Sequence, residues 1–122
     1  MMLLDSFFNI VTEKIDENQA EFTIRLNPEH SIFLGHFPMY PITPGVCITQ
    51  MAVDLFSHIQ NENYHLQKAR NIKFLNIIKP QETPQLTYQL SWAETEENSF
   101  RIKALVCFQD QIYAKLDFEL TK

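Results

Sequence analysis

His36 stands between Gly35 and Phe37, nine residues ahead of Gly45 and fourteen ahead of Gln50, and Asp54 follows four residues later. An imidazole titrates near neutrality, so His36 is the candidate base. Gly45 falls at the start of a predicted helix. There the free backbone N–H groups and the helix dipole favour negative charge. Gln50 and Asp54 lie at i and i+4 and share one helical face. A carboxyl group at either place could act as an acid. An amide can orient a hydroxyl or a water but cannot deliver a proton, and loss of a general acid slows a reaction by roughly 10²–10⁴-fold. A base, an acid and donors aimed at a developing oxyanion are what proton transfer beside a carbonyl requires.

The elements that must position these groups can be read from the same stretch. The chain has 122 residues and only two glycines, Gly35 and Gly45, which bracket His36 and three prolines, Pro38, Pro41 and Pro44. The two glycines are expected to supply the backbone freedom of a loop that the prolines stiffen. Thr43 is the expected N-cap and Pro44 the first residue of a helix reaching to about Gln60. Along it, Ile48, Met51, Ala52, Leu55, Phe56 and Ile59 follow the spacing of a buried stripe. Cys47, Gln50, Asp54 and Asn61 fall on the opposite side.

Elsewhere the period is two. Ala20–Leu26 alternates apolar and polar residues, and Phe7–Ile15 is its expected partner across Asp16-Glu17-Asn18. Leu86–Trp92, Phe100–Phe108 and Ile112–Leu120 form three hairpin-connected strands, with Ile72–Ile78 entering ahead of them and Asn76 predicting a bulge there. Two strands, one long apolar-striped helix and four further strands predict an α+β fold, in which a curled antiparallel sheet wraps a central helix. No repeat, linker or composition shift divides the chain, so residues 1–122 are expected to form one domain.

Composition narrows the function classes. Hydrophobic residues make up 45% of the chain and charged residues 20%, enough to build a core and too ordered a pattern for a low-complexity chain. Ten basic and fifteen acidic residues give a net charge of −5, which argues against nucleic acid as a partner. Against that background Lys68, Arg70, Lys73 and Lys79 form a run without an acid, read either as a solvated face or as a docking patch for an acidic partner. Cys47 and Cys107 are too few for a disulfide framework and lack metal-ligand spacing, so no metal or cofactor is expected. With no signal-like leader and no apolar run long enough for a membrane span, a cytoplasmic location away from membranes is expected. His30, His58 and His65 lack the context of His36 and are read as surface or structural.

Residues 27–50 read Asn-Pro-Glu-His-Ser-Ile-Phe-Leu-Gly-His-Phe-Pro-Met-Tyr-Pro-Ile-Thr-Pro-Gly-Val-Cys-Ile-Thr-Gln. This string resembles the 3-hydroxyacyl-acyl-carrier-protein dehydratases, whose mark is Gly-His-Phe-Pro, two spaced prolines and a Pro-Gly-Val that opens the central helix. Ile72-Lys73-Phe74 and Ile77-Ile78-Lys79-Pro80 resemble the strand that follows that helix. The resemblance spans nearly the whole chain and is sharp over residues 30–55. It implies the hotdog fold, a homodimer with sites shared between chains, and a 3-hydroxyacyl thioester on acyl carrier protein as substrate. Trimers of dimers and pairing with a related hotdog subunit are also implied. By resemblance His36 is the base, the Gly45 N–H binds the thioester carbonyl, and Phe37, Val46 and Phe33, with Phe74, line the acyl channel.

One departure matters. Where the family carries Glu or Asp, fourteen residues after its histidine, this chain has Gln50. Where the family has Gln one turn later, this chain has Asp54. Three readings follow: a dehydratase in which Asp54 supplies the proton, an acyl-thioester-binding subunit with little activity of its own, or an acyl thioesterase.

Overall fold

A computed structural model describes residues 2–35 and 41–122. Its elements in chain order are β1 (Phe8–Ile15), β2 (Gln19–Leu26), the short helix α1 (Ser31–Leu34), the long helix α2 (Gly45–Gln60), β3 (His65–Phe74), β4 (Gln85–Glu96), β5 (Ser99–Phe108) and β6 (Gln111–Thr121). The strands form one antiparallel sheet in the order β1-β2-β4-β5-β6-β3, with the β1–β2 and β4–β5–β6 neighbours as the turn signals predict.

Register explains the core. Phe22 pairs with Tyr88, Tyr88 with Val106 and Val106 with Ala114; one layer along, Leu90 pairs with Ala104 and Ala104 with Leu116. All of these side chains are buried on the face that receives α2. A slip by one residue would turn each set to solvent, so burial itself fixes the pairing. Ile48, Met51, Ala52, Leu55 and Phe56 of α2 fill the concavity. The Tyr88 hydroxyl donates to the Ile48 carbonyl oxygen at 2.9 Å, tying strand to helix.

Several expectations need correction. The helix begins at Gly45, with Pro44 in the N-cap position and no side-chain cap bond; Thr43 lies just outside it. Neither glycine has positive φ. The left-handed positions are instead Asp5, Asn61, Asn98 and Gln109. Asn61 ends α2, while Asn98 and Gln109 occupy the β4–β5 and β5–β6 turns. Asparagine visits that region readily because its short polar side chain bonds locally. The third strand runs over His65–Phe74 rather than Ile72–Ile78, and its irregularities fall around Gln67 and Arg70 rather than at Asn76. Asn76 lies past the strand, where its side chain donates to the Ile112 carbonyl oxygen at 2.7 Å. Cys47 and Asp54 on the other side of α2 are also buried, Asp54 beneath Leu3 and Leu4, whose amides bond its carboxylate.

Candidate active site

His36, Phe37 and Pro38 lie outside the described residues. The elements on either side of them are described. Upstream, His30 caps α1 by accepting the Ile32 N–H on Nδ1 at 3.0 Å. Phe33 of that helix stacks on Phe7 at 4.8 Å between ring centroids, deep in the core. Downstream, the Thr43 N–H donates to the Ile78 carbonyl oxygen at 2.9 Å, fastening the approach to α2 against the segment after β3.

Gly45 opens α2 beside the ring of Phe74. A Cβ at this position would come within 2.7 Å of that ring, so any larger residue would have to push the half-exposed Phe74 side chain aside. The Cys47 and Ile48 amides donate to the Pro44 carbonyl, which leaves the Gly45 and Val46 N–H groups as the helix-end donors ahead of the ladder. Gly45 borders a cleft of about 700 Å³ lined also by Ile42, Thr43, Ile48, Phe74, Ile78 and Tyr113, among others. The Thr43 hydroxyl is buried with no hydrogen-bond partner among the described residues. Val46 projects outward at 68% exposure. Phe33, Val46 and Phe74 therefore do not converge on one channel within a single chain.

Gln50 and Asp54 border a different cleft, of about 230 Å³, together with Val53, Ser57, Tyr64 and Leu66. Asp54 is 3% exposed. Its Oδ2 accepts the Leu3 N–H at 2.6 Å and the Leu4 N–H at 3.1 Å, while its Oδ1 accepts the Gln50 side-chain amide at 2.8 Å. The i, i+4 spacing announces the Gln50–Asp54 contact. The two backbone donors leave no trace in residue type, because any residue but proline at positions 3 and 4 could supply them.

Two buried groups near the helix start stay protonated at neutral pH. Burial pushes the Cys47 thiol up, which removes it as a nucleophile. Burial also holds the Tyr88 phenol well above its ordinary range. Among the described residues no group of three His, Cys, Asp or Glu side chains could hold a metal ion, and no helix is long and apolar enough to cross a membrane.

A family model described as ApeI-like, ApeI dehydratase, matches residues 12–116. The chain belongs to the ApeI-like dehydratase family. It is 30% identical over 125 residues to the 3-hydroxyacyl-acyl-carrier-protein dehydratase FabZ of Petrotoga mobilis, covering 95% of this chain and 83% of that one. The corresponding enzyme of Fusobacterium nucleatum is 28% identical over 100 residues, 78% of this chain and 68% of that one. In structure, the dehydratase heterocomplex ApeI:P from Xenorhabdus doucetiae superimposes with a TM-score of 0.67 at 18% identity, over 93% of this chain and 96% of that one. These neighbours fix the architecture of the ApeI-like chain as the hotdog fold, a curled sheet around a central helix. A thioesterase mutant from Pseudomonas aeruginosa shares that fold with a TM-score of 0.62 at 13% identity, over 92% of this chain and 79% of that one.

Proposed function

We propose that this chain is a dehydratase subunit for 3-hydroxyacyl thioesters on acyl carrier protein, and that it turns over when a second hotdog chain supplies the acid. His36 takes the α-proton, the Gly45 N–H steadies charge on the thioester oxygen, and Gln50 orients the departing hydroxyl or a water. Phe37, Val46 and Phe74 contact the acyl chain in the assembled pair, and Phe33, buried against Phe7, holds the short helix before the His36 loop rather than touching substrate. The observation that carries the reading is the state of Asp54. It is the one acid of α2, and its carboxyl oxygens already receive three donors, one of them from Gln50. With Asp54 engaged, no carboxyl group on this helix is free to protonate a leaving hydroxyl. Membership of a dehydratase family supports the reaction class, and a heterocomplex among the structural neighbours supports assembly from unlike subunits.

The test follows enoyl thioester formation from a 3-hydroxyacyl thioester on acyl carrier protein. The chain alone should turn over close to background. Gln50→Glu should raise the rate by about 10²-fold or more, the scale of a restored general acid. His36→Ala in that background should remove the gain. Robust turnover by the unaltered chain, lost in Asp54→Asn while Gln50→Glu stays inert, would instead make Asp54 the acid. Release of free acyl acid without enoyl product would point to thioester hydrolysis.

A further inference from the structure

Thr43 stands one position too early to cap α2. Pro44 holds the N-cap place, and no side chain bonds the helix-end amides. Released from that task, the Thr43 hydroxyl is the one buried side-chain nitrogen or oxygen without a hydrogen-bond partner among the described residues. The residue is 4% exposed. The backbone groups beside it are committed elsewhere. Its own N–H donates to the Ile78 carbonyl oxygen, Pro44 has no N–H, and the Pro44 carbonyl accepts from Cys47 and Ile48. Buried hydroxyls are nearly always bonded, because one left unpaired away from water costs stability. An orphan of this kind beside a cleft points to a partner that arrives with a ligand.

The cleft is the one that Gly45 borders, and Ile42, Ile48, Phe74 and Ile78 give it apolar walls. Two of its other polar side chains are already engaged. Asn76 donates to the Ile112 carbonyl oxygen, and the Tyr113 hydroxyl lies 3.4 Å from that of Thr83. The Thr43 hydroxyl and the Gly45 N–H are donors only two residues apart along the wall. Successive Cα atoms are about 3.8 Å apart, so one ligand oxygen at the helix end is within reach of both. A few donors set in an apolar cleft fix the orientation of what binds there.

We infer that the Thr43 hydroxyl is a second donor to the thioester oxygen, beside the Gly45 N–H, and that it selects ligands carrying a carbonyl at that point. The inference rests on the reading that acyl thioesters bind at Gly45, and it adds a side chain to a contact which that reading gives to the backbone alone. The unpaired hydroxyl weakens the free chain and is satisfied when the oxygen arrives. A ligand lacking that oxygen leaves it unpaired and is rejected for that reason.

The test uses two probes inert to dehydration and to hydrolysis. One is a saturated acyl pantetheine with a ketone in place of the thioester; in the other a methylene replaces that carbonyl. Calorimetry should find the ketone binding the unaltered chain at least about tenfold tighter than the methylene probe. Thr43→Val exchanges the hydroxyl for a methyl group of similar shape. It should weaken ketone binding by about five- to tenfold, leave the methylene probe unchanged and raise the melting temperature of the ligand-free chain. Thr43→Ser should keep the preference for the ketone. A melting temperature no higher in Thr43→Val would show that the hydroxyl is already bonded within the chain, and would overturn the inference. So would a ketone preference equal in the two proteins. Neither result touches binding at Gly45, which the affinity of the ketone for the unaltered chain reports separately. If neither probe binds the unaltered chain, the acyl-thioester reading fails and this inference falls with it.

Discussion

At the scale of single residues, Asp54 is the group whose role the structure changes most. The sequence places it on the helix side opposite the buried stripe, one turn after Gln50. In the structure it joins three donors from two separate parts of the chain. Truncation by Asp54→Ala would strand the Leu3 and Leu4 amides and the Gln50 side chain in a buried setting. The expected loss of stability is about 2–4 kcal/mol, read as a lowered midpoint in denaturant. A midpoint unchanged from the parent would show that the three hydrogen bonds to Asp54 contribute nothing net to the fold. Gly45 teaches a different lesson about legibility. The scarcity of glycine marks the right place, but the physical reason is the Phe74 ring against it rather than an unusual backbone angle. Proximity of residues 45 and 74 is tertiary, and no local pattern announces it.

At the scale of elements, period-two alternation locates four of the six strands, β2, β4, β5 and β6, because each has one face on α2 and one in water, and β1 follows as the hairpin partner of β2. It misplaces β3 for the complementary reason. An outer strand with both faces largely in water lacks the alternation, and the irregularities around Gln67 and Arg70 shift its phase. The four-residue α1 is too short to show a helical period at all. On the outer face of β5 and β6, Arg101 grips Asp117 through two hydrogen bonds of 2.8 and 3.0 Å. That guanidinium holds the Asp117 carboxyl below its usual range. A carboxyl group depressed in the folded state contributes stability above its unfolded pKa of about 4 and loses it as pH falls through the folded value. Asp117→Asn should therefore lower the melting temperature slightly near pH 7 and have less effect near pH 3. An equal effect at both values would mean the pair contributes no pH-dependent stability.

At the scale of the whole molecule, the described residues form one sheet around one helix, with two clefts at different places on that helix. Gly45 borders one and Gln50 the other. The family resemblance makes the loop around His36 legible from the residues alone. The separation of the two clefts is not legible, since it depends on how the segment after β3 and the first residues of the chain pack on α2. Hydrogen exchange gives the corresponding whole-molecule prediction. In the isolated chain, β3 amides pointing away from β6 should exchange fast, and those bonded to β6 slowly. Uniform slow exchange along β3 in the isolated chain would mean that the edge is already covered. The pairing of β3 with β6 also sets an order of events during synthesis. β3 has no strand to join until β6 has been made, a few seconds later at roughly 5–20 residues per second. For that interval Leu66, Ile72 and Phe74 are exposed on a nascent chain. The lysines between them then act as gatekeepers, keeping neighbouring nascent chains apart.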